Sequence, residues 1–235
     1  MVKIVDLSSL EKKIGHQFKN INLLKEALTH RSYLNENPSW GRDFLSPHNE
    51  RLEFLGDAVL ELIVTEVLFK DYPNSAEGEL TSIRSALVNY QMLADVSREI
   101  VLSDYILLSR GEAKDTGKAR DVILANAFES LIGAIYLDAS YEVVGKFINS
   151  FVMKRVAEVM EKELYRDPKS FLQEIIQEKM KITPTYDVIS EKGPDHAKIF
   201  RIGVYFGDKL IAEGEGLSKQ EAEVEAAKNA LKEIQ

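Results

Sequence analysis

Apolar residues recur at helical spacing through about the first 162 positions of the chain. Three runs that show this spacing are residues 23–28, 52–63 and 131–136. A repeat every three to four residues is typical of amphipathic helices, and no convincing alternation of apolar and polar residues occurs in this part. Polar breaks, where we expect loops, fall at residues 35–47, 71–75 and 109–118. Residues 1–162 are therefore predicted to form an all-α domain.

The pattern changes in a short polar stretch at residues 163–168, which we interpret as a linker. Its end, Asp167 followed by Pro168, is typical of a helix start. The elements predicted beyond it are a helix at about 169–180, strands at 185–190, 198–206 and 209–215, and a helix at about 218–234. Residues 169–235 are therefore predicted to form a small α+β domain with the element order α-β-β-β-α.

One predicted helix carries acids along a single face. Glu50, Glu53 and Asp57 follow the spacing i, i+3, i+7, which places their side chains on the same side of a helix. On another predicted helix, Asn126 and Glu129 are again three residues apart. Like charges at this spacing repel each other, whereas hard divalent cations take oxygen ligands. The spacing alone fits either a metal site for phosphodiester hydrolysis or a solvated acidic face.

Composition narrows the possible chemistry. The 235 residues include no Cys and only 4 His, which excludes disulfides and thiolate zinc sites and argues against a site of clustered imidazoles. No apolar run approaches the length of a membrane span, the N-terminus lacks the features of a signal peptide, and no phosphate-binding loop occurs. We therefore expect a cytoplasmic protein with no membrane partner and no nucleotide cofactor.

Motifs in both parts of the chain resemble one family. The block at residues 49–60, which begins Asn-Glu-Arg-Leu-Glu-Phe-Leu-Gly-Asp, is similar to the signature of ribonuclease III, the double-stranded-RNA endonuclease. Three more blocks resemble further motifs of that family, at residues 27–33, 77–88 and 123–133. Residues 167–234 resemble the double-stranded-RNA-binding domain over nearly their whole length. The resemblance implies an all-α endonuclease domain followed by a small α+β RNA-binding domain.

The resemblance also implies an activity. It implies a homodimeric endoribonuclease that depends on Mg²⁺, with Mn²⁺ as a substitute, and that cuts double-stranded RNA with a metal-activated water. The implied products carry 5′-phosphate and 3′-hydroxyl ends with short 3′ overhangs, and the implied role is the processing of ribosomal and messenger RNA. Carried over position by position, the metal ligands are Glu53, Asp57, Asn126 and Glu129.

The resemblance implies roles for three further positions in the nuclease part. Glu50 and Glu77 correspond to additional catalytic acids that line the cleavage valley. Phe54 corresponds to an aromatic residue that packs across the family's dimer interface, and an ordinary core position is the other interpretation of this residue. Both interpretations can hold together.

Position 126 departs from the family, which has Asp there. The amide oxygen of Asn126 can still ligate a metal, but it brings no negative charge. Asp121 lies five residues earlier, about 140° around the helix, so it does not replace the missing carboxylate without rearrangement. The departure leaves an alternative: a double-stranded-RNA-binding protein whose nuclease site is attenuated or deliberately inactivated.

In the second domain, the resemblance assigns contact with duplex RNA to five residues. They are Ser170, Gln173, Gln177, His196 and Lys219. The first three also follow the spacing i, i+3, i+7 on the predicted first helix. Domains of this kind read duplex RNA mainly by its shape.

The charge of the chain sets an expectation about affinity. The whole chain has 30 basic and 38 acidic residues, a net charge of −8, and residues 167–235 contain 10 basic against 13 acidic residues. Gln220 and Glu223 occupy positions where the family often has Lys. Because fewer cations are offered to phosphates, we expect modest affinity with a shallow dependence on salt.

Overall fold

The computed structural model describes residues 6–194 and 198–234. Contacts gather into two units, residues 1–165 and 166–235, and the boundary falls inside the predicted linker, after Tyr165. The first unit is built of helices and the second of two helices and a three-stranded sheet, so the predicted fold class is confirmed. In the part of the chain that is described, no helix combines the length and apolar character of a membrane span.

The first unit is organised around two long helices of 22 residues each. Its helices are α1 (Leu7–Ile14), α2 (Ile21–Ala27), α3 (Glu50–Asp71), α4 (Glu77–Val88), α5 (Tyr90–Glu99), α6 (Gly117–Asp138), α7 (Tyr141–Phe151) and α8 (Val156–Glu161). Short 3₁₀ turns lie at Arg31–Asn35, Leu102–Asp104, Glu112–Lys114 and Met153–Arg155. The middle of α6 is buried almost all round, with Phe128 and Leu131 fully inaccessible, because α6 packs against α2, α3, α5 and α7. This helix is the centre of the core.

Two glycines allow α3 and α6 to pack at backbone contact. A Cβ atom on Gly56 of α3 would lie 1.7 Å from the carbonyl oxygen of Glu129 on α6. A Cβ atom on Gly133 of α6 would lie 2.3 Å from the carbonyl oxygen of Leu52 on α3. Both distances are far below van der Waals contact, so any side chain at either position would push the helices apart. The crossing places the acidic face of α3 beside the carboxyl group of α6.

The end of α6 is tied to the start of the chain through a buried carboxylate. Asp138 accepts hydrogen bonds from the backbone N–H groups of Asn20 at 2.8 Å and Lys19 at 3.0 Å, and the Nε2 atom of His16 lies 3.0 Å from it. Burial alone would raise the pKa of Asp138, but these hydrogen bonds outweigh burial and hold the pKa below its usual value. The ionised carboxylate therefore stabilises the connection between α1, α2 and α6.

The second unit has an antiparallel sheet in the order β1-β2-β3, and its last helix packs against β2, β3 and the first helix. Its elements are α9 (Pro168–Met180), β1 (Thr185–Lys192), β2 (Ile199–Phe206), β3 (Lys209–Gly216) and α10 (Lys219–Ile234). Asp167 caps α9 by accepting a hydrogen bond from the N–H of Ser170 at 2.8 Å. Leu172 and Ile176 of α9 and Val204 of β2 form the centre of a separate core. β1 extends two residues beyond its predicted end.

Candidate active site

The first two turns of α3 present three acids. Glu50 is exposed and forms an ion pair at 3.3 Å with Nη1 of Arg31, and Nδ1 of His48 lies 3.8 Å from its carboxylate. Glu53 is half-buried, and Asp57 is exposed one turn further on. Acids are favourable in the first turn of a helix because the unpaired N–H groups there carry partial positive charge. The positive end of α3 therefore supports Glu50 and Glu53.

The carboxyl group of Glu129 on α6 completes the cluster of acids. Burial raises the pKa of Glu129 to about 8, and the charges of Asp57 and Glu53 contribute to the rise. Burial likewise raises the pKa of Glu53, with contributions from Glu50 and Asp57. These mutual effects show that the helix crossing brings Glu53, Asp57 and Glu129 within electrostatic range. We name these three residues the acid cluster.

Asn126 takes part in the same arrangement. The polar contact of its side-chain amide with the Glu53 carboxylate lowers the pKa of Glu53 against the raising effect of burial. Asp121 forms a short ion pair with Arg98 of α5. The structure thus places Asn126 beside the acid cluster and engages Asp121 elsewhere, in agreement with the expectation that Asp121 does not replace it.

Glu77 and Phe54 are the remaining nuclease residues to which the resemblance gave a role. Glu77 begins α4, where its carboxylate accepts a hydrogen bond from Oγ1 of Thr81 at 3.2 Å. Among the described residues, no contact joins Glu77 to the acid cluster. Phe54 is 82% exposed, so the interpretation of this residue as an ordinary core position is wrong. With Leu62 and Phe69, it forms an exposed apolar row along α3.

Four of the five positions for which duplex contact was predicted lie on the surface of the second unit. Ser170, Gln173 and Gln177 are exposed on one face of α9, opposite the residues that enter the core. Gln177 donates a hydrogen bond to Oγ1 of Thr183 at 3.2 Å. Lys219 is the first residue of α10, and its Nζ atom lies 3.8 Å from the Glu191 carboxylate. His196 lies outside the described residues.

Comparison with known proteins identifies the family. A family model described as Ribonuclease-III-like matches residues 20–156, and one described as a double-stranded RNA binding motif matches residues 168–234. The protein named Ribonuclease 3 of Borreliella afzelii (strain PKo) is 44% identical over 229 residues, which cover 97% of this chain and 91% of that protein. The chain belongs to the ribonuclease III family. It is an endoribonuclease of that type with a double-stranded-RNA-binding domain.

Other ribonuclease III proteins agree with this assignment. The Ribonuclease 3 of Carboxydothermus hydrogenoformans is 44% identical over 226 residues, covering 96% of this chain and 94% of that protein. A solved structure of the ribonuclease III nuclease domain from Campylobacter jejuni is 40% identical, covers 63% of this chain and 97% of that chain, and has a TM-score of 0.56. Its description names a region involved in dimer formation.

The acid cluster has the donor chemistry of a divalent-cation site. Among the described residues, no three Asp, Glu or His side chains already stand in the geometry of a metal-ligand set. The donors themselves fit such an ion, because three carboxylates and the amide of Asn126 meet where carboxyl groups raise each other's pKa. A bound divalent cation would relieve that repulsion, so the residues present in this ribonuclease III chain fit a metal.

Sequence reasoning missed a serine that fixes the start of α3. Ser130 is fully buried on α6, and its hydroxyl lies 2.7 Å from the carbonyl oxygen of Asn126 and 3.2 Å from that of Asn49. The N–H of Asn49 donates to the carbonyl oxygen of Thr29 at 2.9 Å. The available signal was a serine directly before the apolar residues Leu131 and Ile132 of a buried helix.

A buried glutamate anchors the loop that leads into α3. Glu26 of α2 is only 2% exposed, and burial raises the pKa of its carboxyl group, while the backbone N–H groups of Ser46 and Leu45 lower it. The positive charge of Arg51 acts in the same direction as these N–H groups. Because its partners are backbone groups some twenty residues away, nothing in the sequence pattern pointed to this contact.

Proposed function

We propose that this ribonuclease III endoribonuclease hydrolyses phosphodiester bonds of double-stranded RNA at the acid cluster, with Mg²⁺ as its metal and Mn²⁺ as a substitute. The observation that carries the proposal is the position of Glu129 beside Glu53 and Asp57, where burial first and then the charges of Asp57 and Glu53 raise the pKa of Glu129 to about 8. A bound divalent cation supplies a water of lowered pKa and neutralises charge on the phosphoryl oxygens.

The residues of the chain have distinct parts in this proposal. Glu53, Asp57 and Glu129 offer carboxylate oxygens to the cation, and Asn126 offers its amide oxygen. Glu129, buried beside two other acids, holds a proton until the cation replaces it. Glu50 lies at the edge of the cluster, where Arg31 and His48 fix it, and Glu77 serves as a further acid of the valley. Gly56 keeps the two helices at the required distance.

The proposed enzyme is a homodimer in which each subunit cuts one strand. The support is the exposed row on α3, in which the exposed fractions of Phe54, Leu62 and Phe69 are 82%, 57% and 72%. Two opposed sites would leave 5′-phosphate and 3′-hydroxyl ends with short 3′ overhangs. Processing of ribosomal and messenger RNA in the cytoplasm is the proposed setting.

A second candidate function rests on Asn126. Its side-chain amide lowers the pKa of Glu53, whereas the negative charge of an ionised Asp at this position would raise it. The amide therefore ties up a metal-binding carboxylate and supplies no charge of its own. On this alternative, the protein binds duplex RNA and cuts it slowly.

The substitution Asn126→Asp tests both functions. Single-turnover cleavage of a long duplex is measured at saturating protein in Mg²⁺ and in Mn²⁺, beside a gel shift in EDTA. The proposed metal role predicts cleavage about 10-fold or more faster in the variant, with an unchanged gel shift. An unchanged rate would remove position 126 from the metal site. Binding without measurable cleavage by the unsubstituted chain would favour the alternative.

A further inference from the structure

The first turn of α3 is held through the backbone of Asn49, the residue that precedes it. Asn49 is buried, and within the described part of the chain its side chain makes no capping hydrogen bond. Its N–H donates to the carbonyl oxygen of Thr29 at 2.9 Å, and its own carbonyl oxygen accepts the N–H of Glu53 at 2.9 Å. The hydroxyl of Ser130 lies 3.2 Å from that same oxygen. The position of this turn therefore depends on two groups outside the helix.

Ser130 connects α3 to α6 through one buried hydroxyl. The hydroxyl oxygen lies 2.7 Å from the carbonyl oxygen of Asn126 and 3.2 Å from that of Asn49, so its single hydrogen is within reach of both. The residue is 0% exposed, so bulk water does not compete for this hydrogen. Asn126 is a proposed metal ligand, and the oxygen of Asn49 holds the N–H of Glu53, which is another. One side chain thereby joins the backbones of two proposed ligands on two helices.

The serine supplies a kind of contact that the two glycines of the crossing do not. Gly56 and Gly133 let the backbones of α3 and α6 touch, and such van der Waals contact limits how closely the helices approach but depends little on direction. A hydrogen bond weakens steeply when its angle is distorted. The bond between Ser130 and Asn49 therefore favours one position of α3 along α6, at a distance that the glycines set.

We propose that Ser130 is a positioning residue for the metal site: its hydroxyl fixes α3 along α6, so that the carboxylates of α3 meet Glu129 and Asn126 in the geometry that the cation requires. Mg²⁺ demands near-octahedral ligands at about 2.0–2.1 Å, so a small slide of one helix changes how well the donors fit. Groups that orient metal ligands commonly change metal affinity or activity by about 10–100-fold. The proposal rests on the metal site of the proposed function and assigns that site a residue that does not touch the metal.

Ser97 provides a matched control for Ser130. It lies on α5, is also 0% exposed, and its hydroxyl oxygen lies 2.8 Å from the carbonyl oxygen of Leu93 and 2.9 Å from that of Leu124 on α6. Each serine thus joins two helices through one buried hydroxyl. Only Ser130 joins two helices that both carry proposed metal ligands, because α5 carries none. A role in stability alone predicts the same effect for both residues.

The test compares the full chain with the variants Ser130→Ala and Ser97→Ala. Binding of Mn²⁺ is measured without RNA by electron paramagnetic resonance of the free ion, so that metal affinity is read independently of cleavage. The Mg²⁺ concentration that gives half-maximal single-turnover cleavage, and the rate at saturating Mg²⁺, are measured beside it. Thermal unfolding without metal checks that both variants are folded.

We expect Ser130→Ala to weaken Mn²⁺ binding by about 10-fold or more and to raise the Mg²⁺ concentration for half-maximal cleavage by a similar factor. Excess Mg²⁺ should restore most of the cleavage rate, because the ligands themselves remain in the chain. Ser97→Ala should match the unsubstituted chain in both metal measurements, although both variants should unfold at a similarly lowered temperature.

An unchanged Mn²⁺ affinity of Ser130→Ala would overturn the proposal. Equal weakening of Mn²⁺ binding in both variants would also overturn it, since the loss would then follow stability rather than the position of α3 along α6. Failure of the unsubstituted chain to bind Mn²⁺ would instead contradict the metal site of the proposed function, and this role of Ser130 would fall with it.

Discussion

The acidic face of α3 and the polar face of α9 follow the same sequence spacing but lie in different surroundings. Glu50, Glu53 and Asp57 stand at i, i+3, i+7, as do Ser170, Gln173 and Gln177. A second helix crosses the first face at backbone contact and adds Glu129, whereas the second face stays exposed. Spacing decides which side chains share a face. The element packed beside that face decides whether it becomes a chemical site or a reading surface.

The two faces also differ in the charges that surround them. At the acid cluster, neighbouring carboxyl groups and burial raise the pKa of Glu53 and Glu129, so like charges are held together at a cost. In the second unit, cations lie beside acids, as in the pairs Lys169–Glu223 and Lys219–Glu191. The first region therefore holds like charges that a bound cation would neutralise, and the second offers RNA little excess positive charge.

The largest effect is expected from Gly56→Ala, which would disrupt the close packing of α3 against α6. Its Cβ atom would fall 1.7 Å from the carbonyl oxygen of Glu129, so we expect a loss of about 3 kcal/mol or more in the free energy of unfolding. The matched control is Gly145→Ala on α7, where a Cβ atom meets nothing within 4 Å and a gain of about 0.5–1 kcal/mol is expected. Urea unfolding measures both, and equal effects would contradict backbone contact at the crossing.

The variants Glu129→Gln and Gln173→Ala separate the cleavage of RNA from its binding. Glu129→Gln removes a carboxyl group that would ligate the cation, so cleavage should fall by at least about 100-fold while the gel shift in EDTA is unchanged. Gln173→Ala should weaken the gel shift and leave the single-turnover rate at saturating protein unaltered. The two functions would be shown to share residues if both variants changed both measurements.

A smaller effect, on stability and its dependence on pH, is expected from Asp138→Asn. The folded-state pKa of Asp138 is below its usual value, so its carboxylate stabilises the fold above the unfolded-state pKa of about 4 and loses this effect as pH falls through the folded-state pKa. At pH 7 the variant should lose about 1–3 kcal/mol, and the difference should shrink below about pH 4.

Urea unfolding at a series of pH values measures this difference. Glu158→Gln is the control, because Glu158 is an exposed partner of Lys162 and its removal should matter little at any pH. A difference between Asp138→Asn and the unsubstituted chain that stays constant down to pH 3 would contradict the assigned role.

The smallest effect is expected from Lys219→Gln on the reading surface. Since Lys219 begins α10 and lies beside Glu191, we expect duplex affinity to fall only a few-fold and the slope of log affinity against log salt to decrease by about 1. Lys232→Gln, in the last turn of the same helix, is the control. An unchanged salt slope for Lys219→Gln would exclude its contact with phosphate.

Local patterns predicted most of the fold. The change of period near residue 165, the helices that carry the acids and the three strands follow from residues close in sequence, and each strand was located to within two residues at either end. The exposure of Phe54 was not decided by its pattern, because a helix position beside an apolar stripe can face either the core or a partner.

The parts that could not be predicted depend on contacts between distant residues. Gly56 and Gly133 show their importance only when the two helices are packed together, although a glycine inside an apolar helical run is a warning of close approach. Glu26 and Ser130 bind backbone groups of remote segments. Asn126 was recognised as a departure, but its hydrogen bond to Glu53 required the structure.

The hydrogen bonds at Asp138 cannot form until most of the first unit has been synthesised. They join Lys19 and Asn20 to a residue 119 and 118 positions later. At a synthesis rate of roughly 5–20 residues per second, the first two helices wait on the order of 6–24 s for this carboxylate to be made. During that time the apolar face of α2, which includes Leu24, lacks α6 to cover it. Aggregation of the nascent chain is therefore most favoured before residue 138 leaves the ribosome.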